Sequence, residues 1–440
     1  MSFVLDEKIL FSLPAKANHE AVLEVLGNFT HNKYKNVNFL SEENVILIGE
    51  GEKADIADAE NIINVTDNGV YIEGTNYTNL MNGLYLFLEG LTYDRKSDSF
   101  SYEKGTFRRS ADLPFRSVHF CIFPETKLKA LRKGIRTAAV TKYTHVVLEF
   151  WGMFKYDCLK ELSWPMAYEK DEIRKIVAEA NALGLEVIPM FNHLAHASAC
   201  REANGKHVVL DQNLSLDYMF NCYGWSWNFN NEEVLSLLRK VRAELIEVCG
   251  EGKYFHIGCD EEYLCVHDIN KMDEVINYMN GLSDELKKVG RRAIMWCDIL
   301  HPIVGEFYEY AQSKLSKDIL IVYYDYTRSL TDSFKRIDMF AESGFDFITG
   351  PWEGRENVKA AADKAKEYKV PGVMMTTWHS LFRNFGEIVF MGEQAYGGYP
   401  DLPVQIRRFH QAEIARKAMF SDGDYEIAGW SEKMTGPGLM

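Results

Sequence analysis

The segment Tyr254–Leu264 reads YFHIGCDEEYL. An apolar, β-prone run passes straight into three acids, Asp260, Glu261 and Glu262, which repel one another. It is short and flanked by helical patterns, so it reads as a buried strand whose C-terminal end carries charge. The question is whether this strand stands alone or belongs to a repeating series.

Seven other runs share its texture: RSVHFC (116–121), THVVLEF (144–150), LEVIPMF (185–191), RAIMWC (292–297), ILIVYYD (319–325), FDFITG (345–350) and GVMMTTW (372–378). Amphipathic patterns lie between them. DEIRKIVAEANALG ends on Gly184, and NEEVLSLLRKVRAELIEVCG opens with Asn231 as N-cap and closes on Gly250. Eight strand-helix units over roughly 300 residues predict a (β/α)8 TIM barrel. A doubly wound open sheet is the rival, but neither GxGxxG nor GxxxxGK[ST] follows the first strand.

The first 110 residues differ. Alternating segments ENVILIGEG and NGVYIEG precede NYTNLMNGLYLFLEGL, in which Leu80, Leu84, Leu86 and Leu88 form an apolar face. The chain is therefore expected to divide into a small α/β domain over residues 1–110, closed by the polar stretch YDRKSDSFSYEKGTFRRSADLP, and a barrel over residues 111–440.

Composition narrows the function. The 440 residues carry a formal net charge of -15, which argues against a nucleic-acid partner or an anionic membrane surface. No secretory leader pattern opens the sequence and no segment supplies the ~18 apolar residues of a membrane span, so a soluble, cytoplasmic protein is expected. The eight cysteines are scattered without a CxxC pair and read as free, buried thiols. The sequence does not determine the oligomeric state; a homodimer is one arrangement compatible with it.

In a barrel, chemistry gathers at the C-terminal ends of the strands. Here those ends hold Glu149 and Trp151; Asn192, His193 and His196; Asp260 and Glu261; Trp296 and Asp298; Tyr323, Tyr324 and Asp325; Trp352 and Glu353; and Trp378. A lone strand-end tryptophan is usually packing, and helix N-termini favour acids, so a helix beginning at Glu262 would also account for the triplet. Aromatics from several strands interleaved with carboxylates favour a ligand site. Two carboxyls in one desolvated pocket would push one pKa up, leaving an acid beside an anion, a division of labour that suits glycoside cleavage.

HIGCDE resembles the H-x-G-G-D-E signature of the family 20 β-N-acetylhexosaminidases, with Cys259 in place of one glycine. The resemblance extends over nearly the whole chain, including the leading domain and its NYTNLMNGLYLFLEGL helix. It implies a retaining exo-β-N-acetylhexosaminidase acting on terminal N-acetylglucosamine or N-acetylgalactosamine. Glu261 is then the general acid and base, and Asp260 orients the substrate's acetamido group, whose oxygen is the nucleophile.

By the same resemblance Arg116, in PFRSVHF, holds ring hydroxyls, and His196, in VIPMFNHLAHAS, lies near the acid. Tyr323 and Asp325, in YYD, hold the acetamido group and a distal hydroxyl, and Trp296 and Trp378 wall the sugar subsite. Neither a cofactor nor a metal is implied. The departures are Ser380 where the family has a strand-eight glutamate, Met190-Phe191 where strand three has another, and Glu149 as an approximate match for paired aspartates. Trp352 and Glu353 are further candidates, Glu353 as a substitute carboxylate.

Three other readings compete. Five histidines near strand ends (His119, His145, His193, His196, His256) suggest a metal-dependent barrel hydrolase, but no HxH pair on the first strand and no HExxH supports it. A carbohydrate-binding barrel that has lost catalysis would have no need of both Asp260 and Glu261. A β-glycosidase acting on a modified amino sugar keeps the chemistry and changes the substrate. The long segment from His193 to Asn231 is expected to shape the mouth, with Trp225 and Trp227 leaning to packing roles.

Overall fold

The computed structural model describes residues 2–15, 19–34, 36–198, 214–221, 224–263, 267–378, 384–397, 409 and 412–417. Within it the eight apolar runs form parallel strands closed into one barrel: β1 Phe115–Ile122, β2 His145–Phe150, β3 Glu186–Met190, β4 Tyr254–His256, β5 Arg292–Trp296, β6 Leu320–Tyr324, β7 Phe347–Gly350 and β8 Gly372–Met375. β8 pairs back onto β1, with Phe115 opposite Gly372. The barrel and the leading α/β unit are those expected from the strand-helix repeat.

Alternation along each strand sorts its side chains into two layers. Phe115, Val147, Ile188, Ile294, Trp296, Leu320, Val322, Ile348 and Met374 fill the barrel interior, with Tyr254, Tyr324 and Trp378 against them. Residues of opposite parity, such as Val118, Phe120, Val146, Leu148, Phe255, Ile321 and Tyr323, join the larger core beneath the helices. Each buried aliphatic contributes about 1.5–3 kcal/mol, and a one-residue slip would exchange the two layers.

The helices form for local reasons. Lys170–Ala182 begins with a capping box between Glu169 and Glu172 and buries Ile173, Ile176, Val177 and Ala180 at helical spacing. Glu232–Cys249 is capped by the Asn231 side chain, which accepts from Glu233 N, and ends at Gly250. No helix among the described residues is long and apolar enough to cross a membrane.

The leading residues build a six-stranded sheet in the order Val37–Leu40, Phe11–Pro14, Val45–Gly49, Gly69–Gly74, Asn61–Val65, Gly105–Arg109, and a three-stranded one centred on Ser99–Glu103. The polar stretch expected to close this unit therefore supplies strands to both sheets; their alternation was hidden by charged residues on the exposed face. Helix Tyr77–Glu89 joins the unit to the barrel. Tyr77 Oη, Thr78 Oγ1 and Tyr85 Oη donate to the carbonyls of Ala182, Gly184 and Leu183, at 2.7, 2.7 and 2.8 Å. Gly184 has φ of 87°, and a Cβ there would stand 2.8 Å from Met81 Cβ, so the close approach requires glycine.

Candidate active site

After β4 the chain leaves regular geometry. Gly258, Cys259 and Glu261 have φ of 70°, 66° and 49°, in the left-handed region. Only the first is glycine, so the backbone under the acids is held by its surroundings. Asn192, just beyond β3, supplies the hold. Its Oδ1 accepts from Cys259 N at 2.9 Å, its Nδ2 donates to Asp260 Oδ1 at 2.7 Å, and its carbonyl accepts from Trp227 Nε1 at 2.9 Å. A Cβ on Gly258 would lie 1.8 Å from Asn192 Oδ1, so any other residue there must displace the Asn192 side chain.

This turn gives the two acids different surroundings. Asp260 is buried, at 7% exposure, whereas the Glu261 side chain keeps 39% of its surface open. His196 bridges them: its Nε2 lies 3.3 Å from Asp260 Oδ2 and 3.2 Å from Glu261 Oε2. The Trp225 ring stands 4.5 Å from the imidazole, its Nε1 donates to Glu261 O at 2.9 Å, and its outer face stacks on Tyr263. Trp225 thus belongs to the mouth of the site, while Trp227 is fully buried packing.

Asp298, beyond β5, completes the acid cluster from beneath. Its Oδ1 accepts from Tyr324 Oη at 2.8 Å and from Glu261 N at 3.2 Å. Burial, and then the charge of Asp260, pushes its carboxyl up to about 7. A carboxyl raised by like charge was expected within the Asp260–Glu261 pair if both faced one desolvated pocket; Asp298, a third carboxyl beyond β5, is raised first by burial and then by the charge of Asp260. Tyr324 is in turn held well above the usual phenol range by burial and by Asp298.

Aromatic rings cluster at the same strand ends. Trp296 lies 5.1 Å from Trp378 and 4.5 Å from His256, measured between ring centres. Trp378 Nε1 donates to Tyr326 Oη at 2.7 Å, Tyr326 stacks on Tyr324, and Trp352 meets Tyr326 edge-on. Glu149 lies at the inward end of β2, with its Oε2 3.0 Å from His119 Nε2.

Several expected residues are elsewhere. Arg116 is the second residue of β1 and has outward parity. Its Nε and Nη1 donate to the carbonyls of Lys142 and Leu113 at 2.6 Å each, its guanidinium lies over Tyr396, and burial lowers its pKa to about 10. It locks the opposite end of the barrel and does not face the acids. Tyr323 also points outward, stacked on Phe340 at 4.4 Å, with its hydroxyl accepting from Arg336 N. Asp325 shares that parity, and its carboxylate accepts from the backbone of Thr327 and Phe334, shaping a loop.

Glu262 starts no helix: it is buried, accepts from Ser226 Oγ, and the next helix begins at Ile269 behind an Asp268 cap. Glu353 is ion-paired with Arg328. Ser380, and most of the loop before Trp225, lie outside the described residues. No disulfide joins the five described cysteines, Cys121, Cys158, Cys249, Cys259 and Cys297, to one another; Cys200, Cys222 and Cys265 lie outside the described residues.

Asn192, Asp298 and Tyr324 were noted only as strand-end residues and Tyr326 was not singled out, yet all four stand beside the acid pair or the rings around it. A signal for the tyrosines was present: counting by two from Leu320 reaches Val322, Tyr324 and Tyr326, and passes over Tyr323 and Asp325.

Residues 146–355 match the model of the glycosyl hydrolase family 20 catalytic domain. Hexosaminidase D of Bos taurus is 24% identical over 219 residues, which span 46% of this chain and 60% of that relative. Among solved structures, the family 20 β-N-acetylhexosaminidase of Streptomyces coelicolor A3(2) superposes with a TM-score of 0.69 at 15% identity, covering 95% of this chain and 93% of its own. The β-N-acetylhexosaminidase of Bacteroides fragilis gives 0.69 at 14% identity, over 96% and 94% of the two chains. At such identities the superpositions speak for the fold alone, and the match to the glycosyl hydrolase family 20 catalytic domain rests on residues 146–355, just under half of the chain.

Proposed function

We propose that this protein is a retaining exo-β-N-acetylhexosaminidase that cleaves terminal β-linked N-acetylglucosamine or N-acetylgalactosamine with the substrate's own acetamido oxygen as nucleophile. The observation that carries the reading is the pairing of Asp260 and Glu261 through His196, at strand ends where Trp296 and Trp378 pack together.

Glu261, with its carboxyl open at the mouth, gives its proton to the departing glycosidic oxygen. Asp260, buried and held by Asn192, accepts the acetamido N–H and stabilises the positive charge that develops as the carbonyl oxygen closes on the anomeric carbon. An oxazolinium-like intermediate results, and Glu261 then takes a proton from the water that opens it. His196 keeps both carboxylates in place through both steps. Trp378, part-exposed and packed against the fully buried Trp296, offers an apolar face to the pyranose, and Tyr324 is the β6 tyrosine of inward parity. The reading places the protein in the cytoplasm and requires no cofactor.

A panel of β-linked aryl glycosides tests it, comparing glucosamine and galactosamine derivatives with and without the N-acetyl group. Turnover confined to acetylated sugars is expected. Equal turnover of both would sink substrate assistance, and binding without aglycone release from any of them would sink the enzyme reading.

A further inference from the structure

His119 and Cys121 are two residues apart on β1, so both side chains enter the barrel. β2 runs beside it in a register that sets Glu149 opposite Cys121. All three are buried, and one donor atom from each lies within 4.8 Å of the others. Glu149 Oε2 is 3.0 Å from His119 Nε2 and 3.4 Å from Cys121 Sγ, and Sγ is 3.8 Å from Nε2. Sugar recognition gives no reason for a thiol in this triangle.

We propose that His119, Cys121 and Glu149 form a binding site for one thiophilic divalent cation of the Zn2+ type at the floor of the barrel. Bonds of about 2.0–2.3 Å to a tetrahedral ion set its donor atoms roughly 3.3–3.7 Å apart, and the three observed separations straddle that range. Imidazole, thiolate and a single carboxylate select a borderline-soft ion over Ca2+ or Mg2+, which take oxygen shells. Three protein donors leave a fourth position. It adjoins the indoles, since the His119 ring lies 4.8 Å from Trp378 and 5.8 Å from Trp296.

Binding displaces the Cys121 proton to solvent, so affinity rises with pH. His119 Nδ1 has no acceptor among the described residues, whereas a metal-bound imidazole is usually oriented through that N–H. The proposal concerns binding and is independent of the hexosaminidase reading, because its test reads no activity.

Chelator-treated full-length protein is titrated anaerobically with Co2+. One equivalent is expected to give a near-ultraviolet thiolate-to-cobalt charge-transfer band that Zn2+ abolishes, and Zn2+ is expected to raise the melting temperature. Cys121→Ser should lose the band, and Glu149→Gln should weaken binding at least tenfold. Should Cys121→Ser fail to fold, Glu149→Gln decides alone. A wild-type protein with no band and no Zn2+ retained on dialysis, a band that persists in Cys121→Ser, or unchanged affinity in Glu149→Gln overturns the proposal.

Discussion

The two neighbouring acids are separated by environment more than by distance along the chain. Asp260 is enclosed by Asn192 and His196, and Glu261 opens to the mouth. Glu261→Gln is expected to lower kcat by about 10²–10⁴ on substrates with poor leaving groups and far less on those with very acidic ones, where protonation matters little. Asp260→Asn should impair both substrate classes, because acetamido orientation is needed in each; a leaving-group series on both variants separates the roles.

Asp298 titrates against stability. Its folded pKa, about 7, lies above that of an unfolded aspartate, about 3.9, so the folded state holds its proton more tightly. This contribution is complete below the unfolded pKa and is lost as pH rises through about 7. Urea unfolding of wild type should show stability falling across that window, and Asp298→Asn should flatten the fall. An unchanged pH slope would remove the assignment.

At the scale of elements, the turn after β4 stores strain that the site uses. Cys259 occupies a left-handed position that glycine would adopt freely, and its buried thiol donates to Ile257 O at 3.4 Å. Gly258 has no such latitude. Gly258→Ala must push Asn192 aside and is expected to cost about 2–3 kcal/mol while freeing the Asp260 carboxylate. Denaturation curves and kcat together check this: wild-type stability with wild-type kcat would contradict the tight fit. The strand elements were legible because buried parallel strands write themselves as continuous apolar runs. The polar strands Ser99–Glu103 and Gly105–Arg109 were not, since one exposed face dilutes that signal.

At the scale of the whole molecule, helix Tyr77–Glu89 ties the leading sheet to the barrel, remote from the acids. Tyr85→Phe leaves the buried Leu183 carbonyl without its hydroxyl donor and should cost about 1–3 kcal/mol, seen as a lower melting temperature with kcat unchanged. A matching loss of kcat would show that this joint communicates with the site.

The sequence by itself determined the eight-unit barrel, the leading α/β unit and the position of the acid pair, because strand periodicity and the DE motif are local in the chain. Which face each strand turned inward, and what met what across the barrel, were decided only by the tertiary structure. Closure selects one parity for all strands. It sends Arg116, Tyr323 and Asp325 outward, where the resemblance expected them at the sugar, and brings Tyr324, Trp378 and Asn192 in. Asp298 acquires its raised pKa from burial and then from the charge of Asp260, 38 positions earlier in the chain. Electrostatic coupling depends on separation in space and on burial, and neither is written along the chain.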